Sequence, residues 1–252
     1  MKSFFLQDIK RSFFNLGFLA GVGGLTALLL HSAVAYSGLT GLQDSYCILV
    51  DAWAISGFIP MLPVFPVLPY ASRFCEEYVS GYHRMIFARM RPEKFALVRM
   101  ISVGLSGGSA VAVPILILCL AADWFGISEI TDPNALRVPA DLKMVVISMK
   151  YGYGTLVFLK VLLGFLFGAT WAMVGLAFAV WFSNKYVSLI GPFVLYESLW
   201  ILCSGKLEIL SPTELVRGDD SGYGLSLALE FAWLLAVVGV VLLGFIKRGK
   251  EG

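Results

Sequence analysis

Three ionisable residues stand inside stretches otherwise too apolar for water: Lys160, Glu197 and Glu230. An ionisable group within hydrocarbon is costly and marks either an ion pair or a pathway by default. Lys160 and Glu230 fall toward the same end of their apolar runs. One reading is a structural contact between them with Lys160 reaching for the interface; the other is a polar constriction or substrate contact, with Glu197 open to protonation. A second acidic pair, Glu76-Glu77, sits in the most charged stretch of the chain, among Arg73, Arg84, Arg89, Arg91, Glu93, Lys94 and Arg99.

Enzymatic chemistry is poorly supplied. Gly104-Leu105-Ser106-Gly107 matches the G-x-S-G pattern of intramembrane serine proteases, but such a serine needs a histidine base, and His31 and His83 both lie too early in the chain. Glu76-Glu77 lacks the arginine and histidines that paired-glutamate membrane proteases require. No phosphate loop of the form G-x-x-x-x-G-K-[ST] occurs, so ATP hydrolysis by that route is expected on another polypeptide. With two histidines, four cysteines and no C-x-x-C or H-x-x-x-H, neither a metal nor a resident cofactor is expected. Cys47, Cys75, Cys119 and Cys203 read as buried thiols, the alternative being a disulfide between two of the outer three, Cys47, Cys119 and Cys203. Nothing points to nucleic-acid binding.

The elements that position these residues follow from composition. The chain is 58% hydrophobic and 14% charged, with mean hydropathy +0.82, which excludes a water-soluble domain. At about 20 residues per span, the apolar content suffices for six membrane helices with short loops. Residues 1–15 read as an amphipathic interfacial helix, with Phe4, Phe5, Ile9 and Phe13 against Gln7, Asp8, Lys10 and Arg11. Spans follow at 16–36, 54–72, 101–122, 155–182, 186–204 and 223–246, all within a single transmembrane domain over 1–252. Gly17 and Gly21, then Gly104 to Gly108, and then Gly164, Gly168 and Gly175 mark faces for close helix approach. In the second span Pro60, Pro63, Pro66 and Pro69 recur every third residue. Each removes an amide donor, so a regular helix there is doubtful. The stretch reads either as a kinked span or as an unwound element lining a pathway.

Lysine and arginine set the orientation. The N-terminus, the segment 73–99, the 183–185 turn and the C-terminus carry 13 of them, against 5 in the opposite connections, including 205–222. Both termini are therefore expected in the cytoplasm and 205–222 outside.

The run Phe74-Cys75-Glu76-Glu77-Tyr78-Val79-Ser80-Gly81-Tyr82-His83-Arg84-Met85-Ile86-Phe87-Ala88-Arg89, followed by Pro92-Glu93-Lys94-Phe95, Arg99 and a glycine-rich span, resembles the ABC-2 type permease family. In that family the second span ends in a cytoplasmic E-E-x-x-x-G segment and a basic element. The likeness, to small permeases of Gram-positive bacteria in particular, covers about a quarter of the chain closely. It implies an all-α, type V exporter-like permease fold of six transmembrane helices in a bacterial plasma membrane. It also implies a second permease copy or homologous permease as partner, with ATP and Mg on a cytosolic ABC ATP-binding subunit. Carried over, Glu76, Glu77, Gly81, Tyr82, Ile86 and Arg89 belong to the coupling element that meets this subunit. Tyr78, Tyr82, Met85, Ile86 and Phe87, at near-helical spacing, suit a helix end gripped by a partner or by the membrane surface. The Phe-rich and Met-rich spans suit a hydrophobic or amphipathic cargo such as a peptide, lipid or drug. An ATPase-independent channel or ion-coupled transporter using Lys160, Glu197 and Glu230 is the alternative; a non-transporting membrane sensor or assembly subunit is a third.

Overall fold

A computed structural model describes residues 2–40, 59–87, 90–125, 150–203, 207–217 and 223–251. Among them every regular element is helical, and five helices are long and apolar enough to cross a membrane. The chain is an all-α, multi-pass membrane protein.

The interfacial helix α1 (Lys2–Phe13) turns at once into the first span, α2 (Leu16–Thr40). One side chain makes the corner. Asn15 Nδ2 donates to the Arg11 and Ser12 carbonyls at the end of α1, while its Oδ1 accepts from the Phe18 amide, capping α2. The stripe of α1 that packs inward is Phe4, Asp8 and Ser12, with the Phe4 ring 6.0 Å from that of Phe95. Asp8 and Ser12 are buried, while Leu6, Gln7, Lys10 and Arg11 are exposed.

The described part of the expected second span is a 3-10 helix, Ile59–Val67, followed by turns to Ser72. Residues 54–58 lie outside the described residues. A 3-10 helix has three residues per turn, so prolines spaced by three stack on one face. Pro63, Pro66 and Pro69 are buried accordingly. At about 2 Å per residue this helix extends only about 18 Å, short of the ~30 Å hydrocarbon core. Its backbone is sheathed by glycines: a Cβ at Gly21 would meet Phe65 O at 3.0 Å, one at Gly107 would meet Pro66 O at 2.9 Å, and one at Gly17 would strike Leu68 O. The Gly17/Gly21 face therefore serves this irregular backbone rather than another α-helix.

Two short helices follow, α3 (Arg73–Val79) and α4 (Tyr82–Phe87). The third apolar helix, α5, runs Pro92–Phe125, so residues 92–99, expected outside the membrane as part of the 73–99 segment, are its first turns. The remaining long helices match their expected ranges closely: α6 (Tyr153–Phe182), α7 (Lys185–Cys203) and α9 (Tyr223–Glu251). Between α7 and α9, a 3-10 turn (Glu208–Leu210) leads to α8 (Pro212–Arg217).

Helices α5 and α6 form the centre. A Cβ on Gly168 would lie 2.5 Å from Gly107 O, and one on Gly108 2.9 Å from Phe165 O, so both helices need glycine to approach this closely. In a membrane the lipid is as apolar as the core, so such packing, rather than apolar burial, drives helix association. The turn from α6 to α7 is two residues long. Ser183 adopts the left-handed conformation at φ 52° and donates its amide to Ala179 O, and Asn184 Oδ1 caps α7 through the amides of Tyr186 and Val187.

Candidate functional site at the terminal end of the bundle

The interfacial helix α1 and the last turns of α9 lie at one end of the bundle, with α3 and α4. The charges at this end form a connected network built around Arg99. This side chain is 1% exposed, on the second turn of α5. Its Nη2 donates to both oxygens of Glu77 on α3, at 2.7 Å for Oε1, and its Nη1 lies 3.3 Å from Asp8 Oδ1 on α1. The Tyr70 hydroxyl donates to the same Asp8 oxygen at 2.6 Å, and the guanidinium lies over the Tyr70 and Phe95 rings at 4.7 and 5.3 Å. A planar, always-charged fork suits this role in a way an ammonium does not. The interfacial helix, the end of the 3-10 segment, α3 and α5 thus share one buried cation.

A second brace comes from Arg248 near the end of α9. Its guanidinium donates to Val180 O and Trp181 O at the close of α6, to Ser183 Oγ, and to the Tyr78 hydroxyl on α3 at 2.8 Å. A third is Glu76, half-buried on α3, bridging Arg73 at 2.6 Å and Lys185 at the start of α7 at 2.7 Å. The Lys185 bond and then Arg73 hold its carboxyl below the usual carboxylate range. Cys75 is buried behind this helix with its Sγ 3.9 Å from Ala179 O, and burial pushes its thiol up to about 11. Cys119 and Cys203 are likewise free and buried; Cys47 lies outside the described residues.

The six residues expected on a partner-facing element divide by placement. Glu76, Gly81 and Tyr82 are at the surface or half-exposed. Gly81 has φ +72°, a left-handed turn between α3 and α4 that favours glycine, and open space surrounds it. Glu77 instead turns inward to Arg99, and Ile86 is buried in a cluster with Phe74, Phe95 and Phe245. Arg89 lies outside the described residues. Val79 and Met85 join Tyr82 as exposed apolar side chains of this element.

The intramembrane charges lie apart from this end. Lys160 is buried on α6. Glu230, on α9, is 2% exposed and lines one small cavity with Thr170, ten residues along α6 from Lys160. At about 1.5 Å per residue this separates the Thr170 and Lys160 backbones by about 15 Å, so Glu230 sits level with the middle of α6 rather than close to its end. The cause is the 205–222 connection. Pro212 and Leu215 of α8 line the same small cavity as Thr170 and Glu230, about 40 Å³ with room for a few waters. The described part of the connection, residues 207–217, therefore packs into the bundle against α6, α7 and α9. Tyr196 secures it from α7, its hydroxyl 3.1 Å from Thr213 Oγ1. Glu197 is half-buried on α7, with Oε1 enclosed and unbonded among the described residues.

Nothing in the sequence marks Asp8, Tyr70, Arg99 and Arg248 as members of one site. Asp8 with Ser12 at i+4 on a basic amphipathic helix is the one local signal, a polar stripe that mimics a solvated face. Among the described residues no group of three or more His, Cys, Asp or Glu side chains is arranged to hold a metal ion.

Comparison with family models, curated proteins and solved structures finds no match.

Proposed function

We propose that the chain is the permease subunit of an ATP-driven ABC transporter of the ABC-2 type, exporting or flipping a hydrophobic or amphipathic substrate across a bacterial plasma membrane. In this reading both termini and the α3–Gly81–α4 element face the cytoplasm. Two such permeases, identical or homologous, would dock on cytosolic ATP-binding subunits that bind ATP and Mg. The observation that carries the reading is the construction of α3: its tip at Gly81 and Tyr82 is open to a partner, while its body is bonded to α5 through Glu77–Arg99, to α9 through Tyr78–Arg248 and to α7 through Glu76–Lys185. A push on the tip would be delivered to three spans at once. Purification in mild detergent from the native cell, with mass spectrometry of what accompanies the chain, tests this. A stoichiometric P-loop ATPase is expected with wild type and lost with Gly81→Pro; its absence from wild type would overturn the reading.

One observation favours the ion-coupled alternative: Glu230 is enclosed at mid-span beside a cavity that also holds Thr170. A carboxyl there can take up and release a proton between two sides of a membrane. In reconstituted vesicles, Glu230→Gln or Glu197→Gln would abolish proton-coupled flux, whereas ATP-driven flux would survive both changes.

A further inference from the structure

A cavity of about 450 Å³ opens at the terminal end where α1 turns into α2 beside α3. We propose that it binds the phosphate of an anionic phospholipid headgroup, held between Arg11 and Arg73. Four observations lead there. The first is charge. Arg11 is exposed on the cavity wall and has no carboxylate partner among the described residues, and Arg73 uses only Nη1 in its contact with Glu76, leaving other donors of its fork for a ligand. A guanidinium offers parallel donors that match phosphate oxygens.

The second concerns the carboxylates on the wall, Glu76 and Glu77, which would repel a phosphate if their charge were open. Neither is open: Glu76 Oε1 and Oε2 are bonded by Lys185 and Arg73, and both Glu77 oxygens are bonded by Arg99. Counting these cations with Arg11, and Asp8 with the carboxylates, four positive charges meet three negative ones, so the local balance favours an anion.

The third is depth. Phe14 and Leu16, at the corner between the interfacial helix and the first span, are 81% and 82% exposed, with Phe14 on the cavity wall. Bare aromatic and aliphatic side chains beside arginines mark the level where headgroups meet acyl chains. This distinguishes a lipid from a free phosphate compound, which would have no use for that rim. The fourth is size: the volume is in the range of small-ligand sites and exceeds what a bare phosphate fills. The inference stands apart from the transport reading, since it needs no ATPase and no substrate.

The test uses the full chain, purified alone in detergent, with native mass spectrometry after titration of phosphatidylglycerol or phosphatidylcholine. Wild type retains phosphatidylglycerol preferentially. At about fivefold per basic side chain near a lipid surface, Arg11→Gln at its exposed position weakens retention about fivefold, and Arg11→Gln with Arg73→Gln about 30-fold. Lys10→Gln removes a neighbouring exposed charge of the same helix outside the cavity and weakens retention less than Arg11→Gln does. Equal retention of both lipids, or equal weakening by Lys10→Gln, would overturn the site. Displacement of the lipid by an equal concentration of glycerol 3-phosphate would overturn the lipid as its ligand.

Discussion

The terminal end of the bundle and its middle handle charge in opposite ways. At the terminal end Arg99, Arg248 and Glu76 each bind two or more partners from different helices, and these bonds tie α1, α3, α5, α6, α7 and α9 together. At mid-span Glu230 is buried against a small, mostly apolar cavity, and one oxygen of Glu197 is enclosed without a bond among the described residues. The difference shows where charge ties helices together and where a lone carboxyl is enclosed. The terminal charges make a frame through their cross-helix ion pairs, although Asp8 Oδ2 and the Nε and Nη1 of Arg99 have no hydrogen bond among the described residues, whereas the mid-span carboxyls, which have no ion pair among the described residues, are the ones a moving ligand or proton could use.

The largest effect expected from breaking the frame is at Arg99. Replacement by Met removes the single cation shared by two carboxylates, Asp8 and Glu77, of which Asp8 is only 3% exposed. Leaving a buried charge unpaired costs about 3–5 kcal/mol, read as a large drop in the detergent melting temperature. A change of less than 1 kcal/mol would show that the network is not a frame.

A smaller loss is expected between the central helices. Gly168→Ala would place a methyl against Gly107 O and the Gly108 backbone, contacts that cannot rotate away, and overpacking of this kind costs about 1–3 kcal/mol. Gly23→Ala, where a Cβ meets open space, serves as the control and should cost nothing.

The contrast is sharpest in Glu230→Gln, which keeps size and hydrogen bonding. Its effect on melting is expected to stay under about 1 kcal/mol, within the range of a single neutral hydrogen bond. A loss as large as that at Arg99 would make Glu230 part of the frame and erase the distinction between the two regions.

Glu76→Gln should do least, because the bridge is half-exposed and surface ion pairs contribute about 0–1 kcal/mol. The sign is nonetheless fixed. A carboxyl held below its ordinary value of 4.5 stabilises the fold above that pH and loses the contribution as pH falls through its lowered value. Wild type and variant should therefore differ slightly at pH 7 and converge as pH falls through that lowered value.

Most of the membrane plan was legible in the chain. Four of the six expected spans match apolar helices closely, and a fifth, α5, contains its expected range, because a run of about 20 apolar residues leaves little choice. The glycine faces were legible too, although Gly17 and Gly21 turned out to sheath a 3-10 backbone. The period-three prolines carried their own answer: a spacing that disrupts an α-helix is the spacing of one 3-10 face. The buried network was not legible. Asp8, Glu77 and Arg99 are separated by up to about 90 positions, and a charge paired across helices looks locally the same as a charge facing water. The packing of α8 into the bundle was hidden for a related reason. Serines, threonine and glutamate around Pro212 read as a solvated loop, while Ser211, Thr213, Leu215 and Val216 are in fact buried.

In the proposed reading α3 both meets an ATPase and carries its work inward through Glu77. Transport, ATP turnover and subunit retention, measured together on the purified complex reconstituted in vesicles for wild type and Glu77→Gln, test this directly. The ATP-binding subunit is expected to stay bound, since Gly81 and Tyr82 are untouched, while transport per ATP hydrolysed falls. Unchanged coupling in the variant, or a wild-type chain that binds no ATPase, would contradict it.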